Sequence, residues 1–448
     1  MVVHGNQLVE DVRTDSPTVR KASLRMQFFL AAQYKWQVKT ADVASAFLQA
    51  GPLKRDIYVL PPRDIRNEGY LWKLRVPVYG LGTAGKEWYN TIMEWLLAQG
   101  CKKALTDGAF FYYQKNGDLR GVLTLHVDDA NFAGDTCFME DIINPMFARF
   151  EFGRVEEGSF MTLGWNIQHD NGNIYVSQSD YIKWKLDRIE IDQEGMFNKS
   201  TPLNTENIKA LRRLIGKLRW VVDQSRPDGA FEELWLSIKA GNPTVNEYLM
   251  ANSLVDEIKG REVKIMFRQL NMKENWWITV FTDAAHAGLP DKTSSAYGVV
   301  IFISNGYVIR EKRPCSVIHW KSGKTKRVVS GIYDAEILAL AEGLEEAIII
   351  RKQLVAMTNI PKELIQIEAY TDNKGAVEAI DNTTQGVFRG KTIGIEIAKI
   401  REMKETKEVA KIEHVHGNYQ VADSLTKPKN RASREPILQA LQRGRFMN

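Results

Sequence analysis

The stretch Leu123-Thr-Leu-His-Val-Asp-Asp129, followed by Ala130-Asn-Phe-Ala-Gly134, decides how the first half of this 448-residue chain is interpreted. Strand-forming residues flank a pair of carboxylates that disfavours strand interiors, so the pattern predicts a β-hairpin with Asp128 and Asp129 at its tip. Neighbouring carboxylates repel each other and stay ionised together only beside a cation. Mg²⁺ binds such oxygens and keeps positions open for substrate phosphates. For this pair taken alone, an acidic surface turn is the simpler alternative.

A third carboxylate lies upstream, at the end of an apolar segment in Lys39-Thr-Ala-Asp-Val-Ala-Ser-Ala-Phe-Leu48. One aspartate supplies too few ligands for two metal ions. Together with the hairpin pair, however, Asp42 can complete a two-metal site that activates a hydroxyl nucleophile and stabilises a leaving group. Asp42, Asp128 and Asp129 are therefore candidate metal ligands.

The composition is that of a folded protein with several domains. With 448 residues and 44% hydrophobic residues, the chain can form two to four domains with buried cores. The net charge is only +5, but residues 310–327 and 427–448 are locally basic. Such segments can bind phosphate backbones through counterion release, and a solvated surface is the alternative for each.

The cysteines and the hydropathy pattern indicate the compartment. Cys101, Cys137 and Cys315 are far apart and odd in number, which argues against a disulfide framework and for a reducing environment. No apolar run approaches a membrane span, and the N-terminus lacks a leader pattern. We therefore expect an intracellular protein that makes no membrane contact.

The second half of the sequence also has acidic residues at the ends or starts of predicted strands and helices. Strands are predicted to end at Asp283 and Asp372, a helix carries Glu336 near its start, and a further helix begins around Asp423. Strand ends and helix starts can converge on one crevice of an α/β sheet, where four carboxylates can hold two Mg²⁺ and cut a phosphodiester. Taken singly, each acid is better explained as a helix cap or a solvated side chain.

Three smaller features complete the prediction. Asn305-Gly306 is predicted to be the turn of a hairpin between strands 294–303 and 306–320. His416 could shuttle protons near a leaving group, although an exposed or packed imidazole is the simpler interpretation. Residues 164–178 indicate a second hairpin, followed by a helix from about Ser179. The basic amphipathic helix at 211–220 could lie along a duplex backbone or be a plain spacer, and Pro227 ends it.

The motifs of both halves resemble one family. Those of the first half resemble the reverse transcriptase of copia-type LTR retrotransposons, and those of the second half resemble the RNase H of the same elements. The resemblance runs from about Asp11 to Pro428. The motifs are Asp42-Val-Ala-Ser-Ala-Phe-Leu, Tyr79-Gly-Leu-Gly-Thr-Ala-Gly-Lys-Glu-Trp88, His126-Val-Asp-Asp129, Thr282-Asp-Ala-Ala-His-Ala-Gly288, Asp334-Ala-Glu336, Tyr370-Thr-Asp-Asn373 and Ala422-Asp-Ser-Leu-Thr-Lys-Pro428.

The resemblance implies a fold and its division. It implies an α+β polymerase palm with partial fingers and a helical thumb/connection, followed by an α/β RNase H-like domain with a mixed five-stranded sheet. The implied domains are fingers and palm at 1–170, thumb/connection at 171–274, the RNase H-like domain at 275–430 and a basic tail at 431–448.

The resemblance also implies the activities and the sites. It implies RNA-directed DNA polymerase and RNase H activities, with two Mg²⁺ (or Mn²⁺) per site. Phe47 lies where the family keeps an aromatic gate against the ribose 2′-hydroxyl, and a core aromatic is the alternative. Tyr79 and Gly80 are implied to contact the nucleotide. The implied metal ligands and catalytic residues are Asp42, Asp128, Asp129, Asp283, Glu336, Asp372 and Asp423.

The implied partners are an RNA template, a DNA primer, RNA/DNA hybrids and dNTPs, together with other Pol and Gag products of the element. The implied location is the cytoplasm, in virus-like particles, and the nucleus. Departures from the family pattern concern nucleotide binding. The finger strands that grip the triphosphate are not in this sequence, and Gly82, Thr83, Gly85 and His126 replace the family's usual residues. The alternative is a truncated remnant that retains only RNase H activity or only nucleic-acid binding.

Overall fold

The computed structural model describes residues 2–3, 14–65, 69–192, 196–306, 313–382, 390–428 and 431–445. Asp11, where the resemblance begins, lies outside these residues. The chain forms two compact units. The first contains the residues up to Gln27, Trp36–Gly158 and Ala356–Asn359, and the second contains Phe28–Lys35, Ser159–Val355 and the residues from Ile360 onward. No described helix is both long enough and apolar enough to cross a membrane.

The first unit is built on a six-stranded antiparallel sheet and a separate two-stranded sheet. The strands are β1 (Lys39–Val43), β2 (Tyr58–Val59), β3 (Trp72–Lys73), β4 (Lys102–Lys103), β5 (Phe110–Lys115), β6 (Asp118–His126), β7 (Asp129–Gly134) and β8 (Phe152–Glu157). The order in the larger sheet is β4-β5-β6-β7-β1-β8, and the smaller sheet pairs β2 with β3. The helices are α1 (Lys21–Tyr34), which runs into the second unit, α2 (Ala84–Ala98), α3 (Thr136–Phe138) and α4 (Asn144–Arg149).

The second unit contains two sheets and most of the helices. Its strands are β9 (Ser159–Thr162), β10 (Trp165–Asp170), β11 (Asn173–Ser177), β12 (Ile265–Phe267), β13 (Trp276–Ala285), β14 (Ala296–Ser304), β15 (Cys315–Lys324), β16 (Ile365–Thr371) and β17 (Lys411–His414). Its helices are α5 (Ser179–Lys185), α6 (Thr205–Gln224), α7 (Ala230–Lys239), α8 (Val245–Gly260), α9 (Ile332–Thr358), α10 (Lys374–Asp381), α11 (Lys391–Glu405) and α12 (Arg431–Arg443). The last residues of α9 belong to the first unit.

The larger sheet of the second unit has the order β15-β14-β13-β16-β17. Strand β13 pairs antiparallel with β14 and parallel with β16, so the predicted mixed five-stranded sheet is confirmed. In the parallel pair Phe281 lies opposite Tyr370. The carboxyl ends of β13 and β16 therefore lie side by side, which is where an α/β sheet positions site residues.

The helix predicted at 211–220 is confirmed as the middle of α6, whose ends follow from local chemistry. The Asn204 side chain accepts a hydrogen bond from the Asn207 amide and caps the first turn. Leu211, Leu214 and Leu218 form its buried stripe. The helix ends at Gln224, immediately before Ser225-Arg-Pro, as the proline predicted.

A buried ion pair fixes the turn that follows this helix. Arg226, 1% exposed, binds both carboxylate oxygens of Asp228 at 2.8 and 2.9 Å. Its remaining guanidinium nitrogen donates to the carbonyls of Ile258 and Arg261. The Trp320 indole on β15 donates to the Val222 carbonyl on α6 at 3.1 Å. Helix α6 and the five-stranded sheet are thus parts of one compact unit.

Three expectations need correction or refinement. The tight Asn305-Gly306 hairpin turn is wrong, because Ser304 pairs with Cys315 and ten residues join the two strands, of which 307–312 lie outside the described residues. The predicted basic tail contains helix α12, whose Leu438 and Leu441 are buried. A boundary at 170/171 would divide the β10–β11 hairpin, whereas the compact units divide at Gly158/Ser159.

Candidate metal centres

The predicted hairpin at Asp128 and Asp129 is confirmed as β6 and β7. His126 pairs with Asp129, which leaves Val127 and Asp128 as the two turn residues. Val127 has a φ of 60°, a left-handed conformation that is costly for a β-branched side chain. A two-residue hairpin turn needs such a positive φ, so the backbone at this tip is held in a strained conformation by its surroundings.

Two hydrogen bonds hold the tip from outside the hairpin. The Val43 amide on β1 donates to the Asp128 carbonyl at 2.9 Å. The indole of Trp88, which is 1% exposed, donates to the Val127 carbonyl at 2.8 Å. Trp88 ends the Tyr79–Trp88 motif, but its contact with the turn could not be read from the sequence. These two bonds fix the backbone that carries the Asp128 and Asp129 carboxylates.

Asp42 lies on β1 directly opposite Asp129 in the ladder between β1 and β7. Burial raises the pKa of Asp42, and the charge of Asp128 adds to the rise. The pKa of Asp129 rises to about 6 through burial and then through the charges of Asp128 and Asp42. Burial lowers the pKa of His126, and Asp128 opposes that shift. The three carboxylates are thus electrostatically coupled, as a cation site requires.

Two of the predicted nucleotide-contact residues, Phe47 and Tyr79, contact each other. Phe47 lies in a 3₁₀ helix, Ala46–Gln49, and its ring contacts that of Tyr79 with centroids 4.7 Å apart. Both the gate and the core interpretation of Phe47 fit this position, since the ring is half-buried against an apolar cluster. Gly80 has a φ of +91°, and a Cβ there would lie 1.9 Å from the Val3 carbonyl oxygen, so this position requires glycine.

The second centre is more tightly assembled. Asp283 on β13, Asp372 after β16 and Asp423 in the 3₁₀ helix Val421–Leu425 each place a carboxylate oxygen within 4.8 Å of the others. Among the described residues, this is the group of three or more His, Cys, Asp or Glu side chains whose ligand atoms all lie within 4.8 Å of one another. Asp42, Asp128 and Asp129 do not meet this distance criterion. Oxygen ligands at this spacing suit a hard divalent cation.

The fourth predicted carboxylate lies at the inner side of this cluster. Glu336 on α9 is 3% exposed, and it accepts hydrogen bonds from the Ala284 amide at 3.1 Å and the Thr371 hydroxyl at 3.2 Å. Burial raises its pKa to about 9, with further contributions from Asp283 and Asp372. Burial likewise raises the pKa of Asp283 to about 7, although Lys427 and Thr426 oppose the shift. A cation is what would allow these groups to be charged together.

Several residues that hold Asp423 in place were missed by sequence reasoning. Gln420, 1% exposed, donates to the Thr282 carbonyl at 2.9 Å and accepts from the Ala422 amide at 3.2 Å. It therefore joins the residue before Asp283 to the residue before Asp423. Gly298 lies opposite Asp283, and a Cβ there would lie 2.9 Å from the Ala422 carbonyl oxygen.

Two further side chains enter the cluster from the end of the last motif. The Thr426 hydroxyl donates to Asp283 Oδ2. The Lys427 ammonium forms an ion pair with Asp423 and lies 3.8 Å from Asp283 Oδ1. Both residues were quoted within the Ala422–Pro428 motif, so the signal was present in the sequence, but no role was assigned to them.

His416 has a local role in the structure. Its ring is exposed, and Nδ1 accepts a hydrogen bond from the Asn418 amide at 3.3 Å at the start of a 3₁₀ helix, Gly417–Tyr419. The exposed-imidazole interpretation is therefore the one that the structure supports. Cys101, Cys137 and Cys315 are free, as expected.

A known family model matches the first part of the chain. Residues 2–205 match the family model described as reverse transcriptase (RNA-dependent DNA polymerase). This segment of the chain is therefore similar to that family.

Curated relatives extend the similarity over nearly the whole chain. The retrovirus-related Pol polyprotein from transposon RE1 of Arabidopsis thaliana is 26% identical over 94% of this chain and 28% of its own length. The corresponding protein from transposon TNT 1-94 of Nicotiana tabacum is 24% identical over 96% of this chain and 33% of its own length. The predicted resemblance to copia-type retrotransposon Pol polyproteins is thereby confirmed. The chain spans a third or less of the length of these relatives.

Solved structures show only distant likeness. An RNase H1 isolated from compost covers 33% of this chain and 91% of its own, with 20% identity and a TM-score of 0.24. A foamy viral protease-reverse transcriptase in complex with dsDNA covers 85% of this chain and 68% of its own, with 12% identity and a TM-score of 0.19.

Proposed function

We propose that this chain is an RNA-directed DNA polymerase with RNase H activity. In this proposal the first unit extends a DNA primer on an RNA template with dNTPs. The second unit hydrolyses the RNA strand of RNA/DNA hybrids. The observation that carries the proposal is the convergence of Asp283, Asp372 and Asp423 within 4.8 Å, in a chain whose first 205 residues match a reverse transcriptase family.

Both centres have the ligands for divalent metal. Asp42, Asp128 and Asp129 would hold the metal of the polymerase centre, and Asp283, Glu336, Asp372 and Asp423 that of the nuclease centre. Two Mg²⁺ (or Mn²⁺) per centre would supply Lewis acidity at the attacking oxygen and neutralise charge on the leaving group. The donor set fits, because carboxylate oxygens are preferred ligands of these ions.

In the polymerase centre the chain's own contribution is positioning. Val43 and Trp88 hold the turn by its carbonyl oxygens, which keeps the Asp128 and Asp129 side chains on a fixed backbone. The ring pair of Phe47 and Tyr79 gives the proposed nucleotide site an apolar wall beside β1. A fixed geometry of this kind accelerates phosphoryl transfer because it lowers the entropy cost of aligning the reacting groups.

In the nuclease centre the chain supplies a desolvated acidic pocket. Asp283 and Glu336 are 1% and 3% exposed, so the field of their charges is weakly screened. Hydrogen bonds from Ala284 and Thr371 fix the Glu336 carboxylate. These contacts orient the ligands before any substrate binds.

A second candidate is a nuclease without polymerase activity. The acidic group of the second unit meets within 4.8 Å, whereas that of the first unit does not. This difference favours RNase H as the activity that the folded chain retains if only one is present.

One assay separates these proposals. The full chain is incubated with an end-labelled RNA template, a labelled DNA primer, dNTPs and Mg²⁺ or Mn²⁺. We expect extension that Asp128→Asn abolishes and template cleavage that Asp283→Asn abolishes. Asp256→Asn, which removes a carboxylate whose side chain is 55% exposed, is the matched control and should leave both signals unchanged.

The outcomes are distinct. Cleavage without extension would support the nuclease alone. If neither signal appears, or if Asp128→Asn and Asp283→Asn behave like the parent, the enzymatic proposal is wrong and the remnant alternative holds.

A further inference from the structure

A lysine occupies the centre that would bind metal. The Lys427 ammonium forms an ion pair with Asp423 and lies 3.8 Å from Asp283 Oδ1. The two carboxylates belong to the group whose oxygens lie within 4.8 Å of one another. The Thr426 hydroxyl binds Asp283 Oδ2, and the Lys427 ammonium faces the other oxygen of that carboxylate, Oδ1.

An ammonium ion and a divalent cation compete for such oxygens. Each stabilises the charged form of the carboxylates, and like charges repel strongly at this separation in a poorly solvated site. The Lys427 side chain is 44% exposed, so it can leave the cluster without being buried elsewhere. Asp283, by contrast, is fixed within β13 and is 1% exposed.

We propose that Lys427 is a built-in competitor of the metal at the nuclease centre, and that metal binding displaces its ammonium from Asp283 and Asp423. The inference rests on the proposed nuclease function. In the metal-free chain, Lys427 compensates the clustered carboxylates. In the metal-bound chain it is released to the open side of the centre, where a nucleic-acid phosphate can replace its lost partner. Metal binding and phosphate binding are then coupled favourably through one side chain.

The expected change in metal affinity on removing Lys427 has the opposite sign to the usual one. Removal of a residue that contacts a metal centre ordinarily weakens metal binding, whereas removal of a competing cation strengthens it. Lys427→Met keeps most of the side-chain volume and removes the charge. Lys427→Arg keeps the charge, so its affinity should stay close to that of the parent.

The experiment measures Mn²⁺ binding to the full chain, with the concentration of free Mn²⁺ determined by electron paramagnetic resonance. All proteins carry Asp128→Asn and Asp129→Asn, which suppresses binding at the other centre. We expect Lys427→Met to bind Mn²⁺ about fivefold or more tightly than the parent, the lower end of typical coupling between two sites. Lys324→Met is the matched control, since Lys324 is similarly exposed and pairs with Asp291 away from the cluster.

A second readout excludes a folding artefact. Thermal unfolding of Lys427→Met without metal should begin at a lower temperature than in the parent, because the carboxylates lose their counter-ion. Mn²⁺ should then raise the midpoint by more than it does in the parent. Unchanged or weaker Mn²⁺ binding by Lys427→Met, while Asp283→Asn removes a site from the parent, would overturn the competition alone. If Asp283→Asn binds as the parent does, both the competition and the proposed nuclease centre are wrong.

Discussion

The two acidic centres of this chain are assembled in opposite ways. In the first unit, Asp128 and Asp129 are adjacent in sequence, and a single ladder pairing brings Asp42 to them. In the second unit, four elements spread over 140 residues bring Asp283, Glu336, Asp372 and Asp423 together. The first centre therefore depends on one strained turn, and the second depends on the packing of a whole unit.

The two centres also differ in how far burial raises the pKa of their carboxyl groups. Burial raises the pKa of Asp129 to about 6, but it raises the pKa of Glu336 to about 9. The more deeply buried centre has the greater need of a counter-ion, and it is the one that contains a lysine. We therefore expect damage to packing in the second unit to affect only the proposed nuclease activity. Damage to the turn should affect only the proposed polymerase activity.

The largest effect is expected at the buried ion pair beside the nuclease centre. Arg226→Met leaves Asp228 buried without a partner, which should lower the free energy of unfolding of the second unit by about 3–5 kcal/mol. Chemical denaturation followed by tryptophan fluorescence measures it. Lys73→Met, which breaks an exposed and solvent-screened pair with Asp56, should cost far less. Equal losses in the two variants would show that the burial of Arg226 does not matter.

The same pair should make the second unit sensitive to acid. Burial alone would raise the pKa of Asp228, but Arg226 holds it below its ordinary value of 3.8. A lowered pKa in the folded state contributes stability above that ordinary value, and the contribution is lost as the pH falls through the folded pKa. The double variant Arg226→Met/Asp228→Asn should lack this part of the loss, which occurs as the pH falls below 3.8. A parallel acid profile in parent and double variant would contradict the assignment.

A smaller, selective effect is expected at Gly298. Its Cβ in Gly298→Ala would press on the Ala422 carbonyl and move the segment that carries Asp423. RNA cleavage should fall by up to roughly a hundredfold, the loss expected if the full overpacking cost of about 1–3 kcal/mol raises the activation barrier. Primer extension should stay within about twofold of the parent. Gly331→Ala is the control, since nothing lies within 4 Å of its added Cβ.

The converse selectivity is expected at Trp88. Trp88→Phe keeps the buried ring but loses the hydrogen bond to the Val127 carbonyl. Primer extension should fall by up to roughly fivefold, the loss expected if the whole cost of the missing bond, about 1 kcal/mol, raises the activation barrier. RNA cleavage should stay unchanged. Steady-state extension assays at saturating template test this. A parallel loss of cleavage would mean that the two centres are not independent.

The smallest effect is expected at His416. Because its exposed ring only caps a short 3₁₀ helix, His416→Ala should change the rate of RNA cleavage by less than about twofold. A tenfold loss with an altered pH profile would instead restore a proton-transfer role for this imidazole.

The sequence was informative where the structure is local. Alternating apolar residues predicted β6, β7 and the tip that carries Asp128 and Asp129, because a two-residue period and a polar turn determine a hairpin. The strand ends at Asp283 and Asp372 followed from the same reasoning. The Asn305-Gly306 turn was wrong because strand register, which pairs Ser304 with Cys315, outweighs a local turn signal.

The missed residues all act over long distances in the chain. Gly298 matters only because its neighbour across the sheet is Asp283, and Gln420 only because it reaches Thr282. No local pattern marks either position. Lys427 and Thr426 were visible in a motif, but their contacts with Asp283 require the folded arrangement of the sheet and the last 3₁₀ helix.

Helix α1 is synthesised long before the aromatic residues that it contacts in the folded protein. Phe28 and Phe29 belong to the second unit, where their rings contact Trp165 and Trp276 at centroid distances of 5.4 and 5.3 Å. A ribosome adds about 5–20 residues per second, so Trp276 is synthesised on the order of tens of seconds after Phe29. During that interval, the turn of α1 that carries Phe28 and Phe29 lacks these aromatic neighbours. It is an early apolar surface that a chaperone could bind.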